Sequence, residues 1–190
     1  MRERLLVTAE QLLRRHGLSK TNVVDIAREL GVSHAAVYRY FKGKSALREA
    51  VAERWLHAIA VPLEKILRQE LPADEKLEAL IMGLMRLKRR KVMDDPELFA
   101  TYHALAESSK AVVEAHVHEL VSHCRTIIEE GIAAGLFVDR DPQAAAVAVF
   151  PGTAIFPHPH HVREQTHKKD AVLKREAGEL IQMLLRGLKT

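Results

Sequence analysis

Apolar residues recur at intervals of three and four along almost the whole chain, which is the spacing that places them on one face of an α-helix. No segment alternates apolar and polar residues in the way that a half-buried β-strand does. Glycines and Asp-Pro pairs separate the apolar runs, as they do where helices end and begin. The pattern therefore predicts an all-α protein of about nine helices.

Four of these helices occupy the N-terminal third of the chain. The first should end at Gly17, because glycine readily takes the left-handed conformation that closes a helix. A short second helix ends at Gly31, and Ser33 can cap a third helix. A longer helix begins near Lys44, and Pro62 is expected to kink or end it, because proline has no N–H for a helical hydrogen bond.

The rest of the chain predicts five further helices, two of which have a notable feature. Pro151 should kink or shorten its helix, and the Pro- and His-rich segment 156–161 that follows is expected to be a polar loop. The basic run 86–91 is expected to form the last turn of a helix, where cations complement the helix dipole. The predicted helical spans are 77–87, 96–107, 110–131, 141–156 and 170–188.

Charge is unevenly distributed between the two ends of the chain. Residues 1–60 carry 11 Lys and Arg against 6 Asp and Glu, whereas residues 61–190 carry 18 against 19. A basic head on a nearly neutral body is typical of a nucleic-acid-binding module joined to a second domain. The charge distribution therefore indicates a nucleic-acid-binding module at the N-terminal end of the chain.

Composition excludes several classes of protein. The single cysteine, Cys124, cannot form an intramolecular disulfide or a thiolate zinc finger. No apolar stretch approaches the roughly 20 residues that a membrane-spanning helix needs. The first residues run directly into a helical pattern, so we expect a cytoplasmic protein that makes no contact with a membrane.

The second and third predicted helices form a helix-turn-helix pattern, with residues 25–30 and 33–41 on either side of Gly31. The small Ala27 lets the two helices approach closely, and Gly31 permits the sharp turn between them. This packing leaves the first turn of the second helix free to enter a DNA major groove. Its alanines can lie close to base edges and contact thymine methyl groups.

Several short motifs stand in register around this helix pair. They are Leu6-x-x-Ala9-x-x-Leu12-Leu13-x-x-x-Gly17, Thr21-x-Val23-x-x-Ile26-Ala27, Leu30-Gly31-Val32-Ser33 and Val37-Tyr38-x-Tyr40-Phe41-x-x-Lys44-x-x-Leu47. Over roughly residues 4–52, the chain resembles the N-terminal domain of the TetR family of bacterial transcriptional regulators. The resemblance implies a homodimer, most often a repressor, that binds a palindromic operator and leaves it when an effector binds. It also implies a DNA-binding domain over residues 1–48 and an effector-binding and dimerisation domain over residues 49–190.

The resemblance also implies which residues contact double-stranded DNA. Hydroxyl and guanidinium groups would reach phosphates, and the start of the third helix would reach base edges. Val23 has no hydroxyl group, so only its backbone N–H can contact a phosphate. The implied DNA contacts are Asn22, Val23, Arg28, Ser33, His34, Ala36, Tyr38, Arg39, Tyr40 and Lys44.

Histidine is the unusual feature of the composition, since eight of the 11 histidines lie at or after His103. If neighbouring helices are antiparallel, a rise of about 1.5 Å per residue places His103, His116 and His158 at one end of the effector domain. Glu107, one turn after His103, can add a carboxylate. Such a group suits Zn²⁺, Ni²⁺ or Cu²⁺. The alternative is a set of surface histidines with one or two core histidines bonded to backbone carbonyls.

These observations favour a dimeric, ligand-responsive DNA-binding regulator rather than an enzyme. No cofactor is required, and the effector is expected to be a small organic molecule or a divalent metal ion. The dimer should pair residues 141–156 and 170–188 with their mates as a four-helix bundle. The alternatives are a metal-dependent hydrolase that uses the histidines and Cys124, and an interaction scaffold whose head binds protein. The candidate effector-binding residues are Phe99, Tyr102, His103, His116, His123 and Met85.

Overall fold

The computed structural model describes residues 1–18 and 21–189. Within these residues the chain forms ten α-helices and one short 3₁₀ turn, Gln165–His167, and no β-strand, which confirms the predicted all-α fold. None of the described helices is both long enough and apolar enough to cross a bilayer. The helices are α1 (Arg2–His16), α2 (Val23–Leu30), α3 (His34–Tyr38), α4 (Lys44–Leu67), α5 (Ala73–Asp94), α6 (Pro96–Glu107), α7 (Lys110–Ala133), α8 (Pro142–Gly152), α9 (Pro159–Glu164) and α10 (Asp170–Lys189).

The chain divides into two compact units. The first consists of Met1–His57 and Asp95–His116, and the second of Ala58–Asp94 and Val117–Thr190. The long helices α4 and α7 each contribute residues to both units. The two units are defined by which residues pack together, whereas the predicted boundary at residue 48 separates two expected functions. That boundary stays a prediction.

In the first unit, α1, α2 and α3 pack around a small apolar core. Leu5, Leu6, Ile26 and Val37 are each at most 1% exposed, so these three helices share one interior. Gly17 closes α1 with a φ of 72°, in the left-handed region that a residue with a Cβ atom avoids. The predicted end of the first helix is confirmed.

A second core in the first unit is built on Trp55 of α4. The Tyr102 ring stacks on Trp55 with centroids 4.9 Å apart, and the Phe99 ring meets it edge-on at 5.7 Å. Arg54 donates from Nε to Oε1 of Glu10 at 2.9 Å, which joins α4 to α1. The aromatic contacts fasten α6 to α4, so α6 belongs to the same unit as α1 despite its distance in sequence.

The second unit is held together by apolar faces of its longer helices and by ion pairs whose cation is buried. Lys76 is 7% exposed, and its Nζ donates to Glu130 at 2.7 Å and to the Leu67 carbonyl at 3.1 Å. Near the end of α7, a Cβ atom on Gly131 would collide with the Phe137 ring, so a larger residue there requires this ring to shift. The most deeply buried side chains of this unit include Leu77, Leu120, Ile127, Ile128 and Ile181.

Several predicted helix boundaries were wrong. The segment expected to be a polar loop contains α9, because Pro159 stands in the first helical turn, where its missing N–H costs nothing. Pro62 lies inside α4 and does not end it. The helix predicted over 141–156 ends at Gly152, one residue after Pro151, as the shortening effect of that proline predicts. The helix predicted over 33–41 is reduced to α3.

Candidate functional site

The turn between α2 and α3 is fixed by capping side chains. Asn22 accepts backbone N–H bonds from Val24 at 2.9 Å and Asp25 at 3.2 Å, and Asp25 accepts from the Asn22 N–H in return. This reciprocal capping box satisfies donors that the first turn of a helix leaves open. Gly31 ends α2 with φ 63° and ψ 33°, the left-handed conformation expected from the sequence.

The short helix α3 presents one face to the core and the other to solvent. Oγ of Ser33 accepts the Ala36 N–H at 3.2 Å, which confirms the predicted cap. Val37 is fully buried, whereas Tyr38 is 51% exposed and Tyr40, just beyond the helix, is 42% exposed. The buried Val37 side chain thus fixes the rotation of α3 about its own axis, so that the polar side chains of this helix face solvent.

The exposed side chains on and around α3 have no competing partners within the described part of the chain. The side chains of His34, Tyr38, Arg39, Tyr40 and Lys44 form no hydrogen bond or ion pair with another described residue. Hydroxyl, imidazole, guanidinium and ammonium groups on one short segment are the donors that reach phosphates and base edges. This segment is therefore a candidate nucleic-acid interface.

The other residues implied as DNA contacts are less available than the exposed side chains around α3, because most of them are buried or already have a partner. The Val23 side chain is 3% exposed, which leaves only the backbone of that residue to face a phosphate. Oδ1 of Asn22 is used in the capping box, and Ala36 is half-buried. Arg28 is exposed and lies 3.7 Å from Asp25. Lys42 is a further exposed cation, between the tyrosines and Lys44, which was not among the implied contacts although its position in the motif could have revealed it.

Four of the six candidate effector residues lie in the first unit. Phe99 and Tyr102 are buried against Trp55, and burial raises the pKa of the Tyr102 hydroxyl, with a further contribution from Glu10. His103 is half-buried, with Nδ1 3.5 Å from Glu107, so the predicted carboxylate partner is present. His116 is buried, at 6% exposure.

The other two candidate effector residues, Met85 and His123, lie in the second unit. Met85 is buried beside an open groove of about 430 Å³ between the end of α5 and the start of α10. The groove mixes apolar and charged side chains, which suits an amphipathic ligand. Its lining consists of Met85, Arg86, Arg89, Arg90, Met93, Asp94, Asp170, Leu173 and Lys174.

Two clusters of metal-ligating side chains occur among residues 1–18 and 21–189, each with donor atoms within 4.8 Å of one another. One is His160, His161 and Glu164 on α9, and the other is Glu64, Glu119 and His123. Neither is the predicted set. Of that set, His103 and His116 belong to the first unit and His158 to the second, where His158 precedes α9. The grouping of these three stays a prediction, although α8 ends too early to carry the geometry assumed for His158.

Cys124 is fully buried in α7, and burial raises the pKa of its thiol to about 12. The nucleophilic form of cysteine is the thiolate, and a thiol with this pKa stays protonated at neutral pH. Cys124 is therefore a packing residue and is unsuited to the hydrolytic alternative.

Two family models match the chain. Residues 5–51 match the one described as bacterial regulatory proteins, tetR family, and residues 73–174 match the one described as Tetracyclin repressor-like, C-terminal domain. The second match alone covers more than half of the 190 residues. The chain therefore belongs to the TetR family.

Individual relatives agree with this assignment. The nucleoid occlusion factor SlmA from Vibrio atlanticus is 29% identical over 90 residues, which are 47% of this chain and 46% of that protein. The HTH-type transcriptional regulator SrpR from Pseudomonas putida is 25% identical over 134 residues, 66% of this chain and 61% of SrpR. The chain thus spans about half the length of the curated relatives it matches.

A solved structure extends the likeness to the whole fold. The transcriptional regulator FadR from Bacillus subtilis, in complex with stearoyl-CoA, superposes with a TM-score of 0.68. The match covers 98% of this chain and 99% of that chain, at 18% sequence identity. At this identity the likeness establishes the all-α fold of both parts of the chain.

Proposed function

We propose that the protein is a dimeric transcriptional regulator that binds double-stranded DNA at a palindromic operator and is released by an effector. The observation that carries the proposal is the exposed, unpaired polar face of α3, in a segment that matches the tetR family model. Because α3 is anchored by Val37 alone on its inner side, its first turn can enter a major groove without refolding.

The roles of the individual side chains follow from their chemistry and exposure. His34 and Ser33, at the start of α3, face base edges. The hydroxyl groups of Tyr38 and Tyr40 bind phosphates while their rings pack on the protein surface. Arg39, Lys44 and Arg28 supply the positive charge, with smaller contributions from Asn22, Ala36 and the Val23 backbone.

Dimerisation through α8 and α10 is supported by apolar side chains that this pair of helices exposes. Val147 of α8 is 50% exposed and Met183 of α10 is 68% exposed. Ala144, Ala148 and Pro151 extend the exposed apolar face of α8 at helical spacing. A second copy would cover both faces, in a four-helix bundle. The two recognition helices of such a dimer would contact half-sites about 34–36 Å apart.

The effector is a small organic molecule or a divalent metal ion, and it acts by differential affinity for two dimer conformations. The amphipathic groove beside Met85 and Leu173 favours a ligand with both apolar and anionic parts. Such a ligand is of the same kind as the stearoyl-CoA held by FadR. The protein would work as a repressor in the cytoplasm, without enzymatic activity.

The test is binding of the full chain to fluorescent duplexes that tile the region upstream of its own gene. Fluorescence anisotropy at several salt concentrations should give tight binding to one pseudopalindromic duplex. The logarithm of the binding constant should fall linearly with the logarithm of salt, with a slope of about −0.9 per neutralised phosphate. Binding that is absent, or independent of salt, would rule out the proposed function.

A matched pair of variants assigns the phosphate contacts. Lys44 and Lys110 are both exposed and each is the first residue of its helix, α4 and α7 respectively. Lys44→Gln should lower the salt slope by about 1 per subunit. Lys110→Gln should leave the slope unchanged, because α7 is not part of the candidate interface. Sedimentation velocity on the same samples reports whether the binding species is a dimer.

A further inference from the structure

We propose that Glu64, Glu119 and His123 form a binding site for a divalent transition-metal ion. The site lies within the second unit, away from the helix-turn-helix. It goes beyond the proposed function, because metal binding is a property of the protein alone and is measured without DNA. It also differs from the histidine set that the sequence predicts.

Two helices bring the three side chains together. Glu119 and His123 are four residues apart on α7, so they project from the same face one turn apart. Glu64 comes from α4, and one donor atom from each of the three lies within 4.8 Å of the other two. All three side chains are half-buried, which sets them apart from surface carboxylates that meet by chance.

The polar atoms of this cluster form few hydrogen bonds or ion pairs with other described residues. Glu119 and His123 form no hydrogen bond or ion pair there, and the only partner of Glu64 is Arg68, at 3.9 Å. Nδ1 of His123 is buried and has no hydrogen-bond partner among these residues. A buried nitrogen without a partner is costly, and two carboxylates this close repel each other. A cation bound between the three groups removes both costs.

The donor set selects the kind of cation. Two carboxylates balance a charge of +2, and an imidazole nitrogen favours first-row transition ions and Zn²⁺ over Ca²⁺ and Mg²⁺. In a tetrahedral site, zinc bonds to nitrogen and oxygen of about 2.0–2.2 Å place two donors about 3.3–3.6 Å apart. The donor atoms, which lie within 4.8 Å of one another, therefore need to move closer by up to about 1.5 Å to bind one ion. Three protein ligands leave further positions for water.

The experiment titrates metal into the full chain. Because the exposed cluster on α9 could also take up metal, every sample carries H160Q and H161Q. Isothermal titration with ZnCl₂ at pH 8, where imidazole is neutral, should show one site per chain and no comparable binding of CaCl₂. Saturation near a hundred times Kd should raise the melting temperature by about 5–10 °C.

Variants on α7 locate the site. Glu119→Gln and His123→Gln should each weaken zinc binding by more than about tenfold, since each removes a ligand. Glu119→Gln should not lower the melting temperature of the metal-free protein, because it relieves repulsion between carboxylates. The control is His118→Gln, an exposed histidine on the same helix, which should bind zinc as the parent does.

Two results would overturn the proposal. One is a lack of zinc uptake at pH 8, which would mean that the three side chains lie together without binding a metal ion. The other is uptake that survives Glu119→Gln and His123→Gln, and in particular uptake that is lost instead in His103→Gln with His158→Gln.

Discussion

The helix-turn-helix and the second unit present functional groups in opposite ways. Around α3, the candidate side chains are exposed and come from one short stretch of sequence. In the second unit, the groups with unusual surroundings are buried or half-buried and come from helices far apart in the chain, as Glu64 and His123 do. Lys88 and Arg89 of α5 are likewise at most 9% exposed.

This difference separates two kinds of function. A surface that reads DNA can change its side chains without disturbing the fold, because those side chains contact little of the protein. An interior that responds to an effector cannot, because each polar group in it is also a structural element. Substitutions of exposed side chains on α3 should therefore affect binding alone, whereas substitutions of buried charged side chains in the second unit should change stability.

The largest expected effect is a loss of DNA binding, without loss of the fold, on substitution of Ala35. Ala35 is exposed and is the second residue of α3, where an acidic side chain suits the helix dipole. Ala35→Asp should leave the melting temperature unchanged but weaken operator binding at least about 1000-fold, about 4 kcal/mol per dimer, by repulsion from phosphates. Anisotropy and calorimetry measure the two effects.

The matched control is Ala111→Asp, at the exposed second position of α7. It adds the same charge at an equivalent helix position and should leave operator binding intact. A comparable loss of DNA binding in both variants would contradict the assignment of α3 to the interface.

In the second unit, the next largest effect comes from Arg89. Its guanidinium donates to Asp170 at 2.6 Å and to the carbonyls of Gln165 at 3.0 Å and Lys168 at 2.6 Å. Arg89→Met removes all of these bonds and should lower the free energy of unfolding by about 2–4 kcal/mol. Denaturant unfolding measures the loss.

The neighbouring Arg90 provides the comparison. It is exposed and pairs with Asp94 at 3.4 Å on the surface of α5. Arg90→Met should change stability by no more than about 0.5 kcal/mol. Equal losses in the two variants would mean that burial is not what distinguishes the arginines.

Lys88 makes the second unit sensitive to alkaline pH. Burial lowers the pKa of Lys88 from 10.5 to about 8, so the unfolded chain binds more protons between these values. Stability contributed by this group therefore rises as pH increases from about 8 to 10.5. Relative to Lys88→Met, the parent should gain about 2–3 kcal/mol over that window. Stability curves of both proteins at pH 7–10.5 test this, and parallel curves would contradict it.

The smallest effect tests how tightly the second unit is packed. Gly131→Ala places a methyl group against the buried Phe137 ring and should destabilise the protein by about 1–2 kcal/mol, despite the better helix propensity of alanine. Gly187→Ala, in α10, meets nothing within 4 Å and should stabilise it by up to about 1 kcal/mol. A stabilised Gly131→Ala variant would show that Phe137 has room to move.

The outward face of α3, on which the candidate interface rests, could be predicted from the sequence because local interactions orient this helix. Gly31, the Ser33 cap and the single apolar Val37 lie within seven residues, and together they decide which side of α3 faces outward. The α-helical class followed in the same way from the spacing of apolar residues. An error arose at Pro159, which was placed in a polar loop although proline is well tolerated in the first turn of a helix.

Tertiary structure alone decided what the polar residues of the second unit do. The basic run around Arg89 was predicted to be the last turn of a helix, yet α5 continues to Asp94 and buries Lys88 and Arg89. No local sequence pattern predicts that Asp170 contacts Arg89, or that Glu64 lies beside His123. Such contacts depend on how helices far apart in sequence pack. The sequence by itself determined the fold class, the family and the orientation of α3. The packing of the helices determined which charged side chains are buried and which side chains they contact.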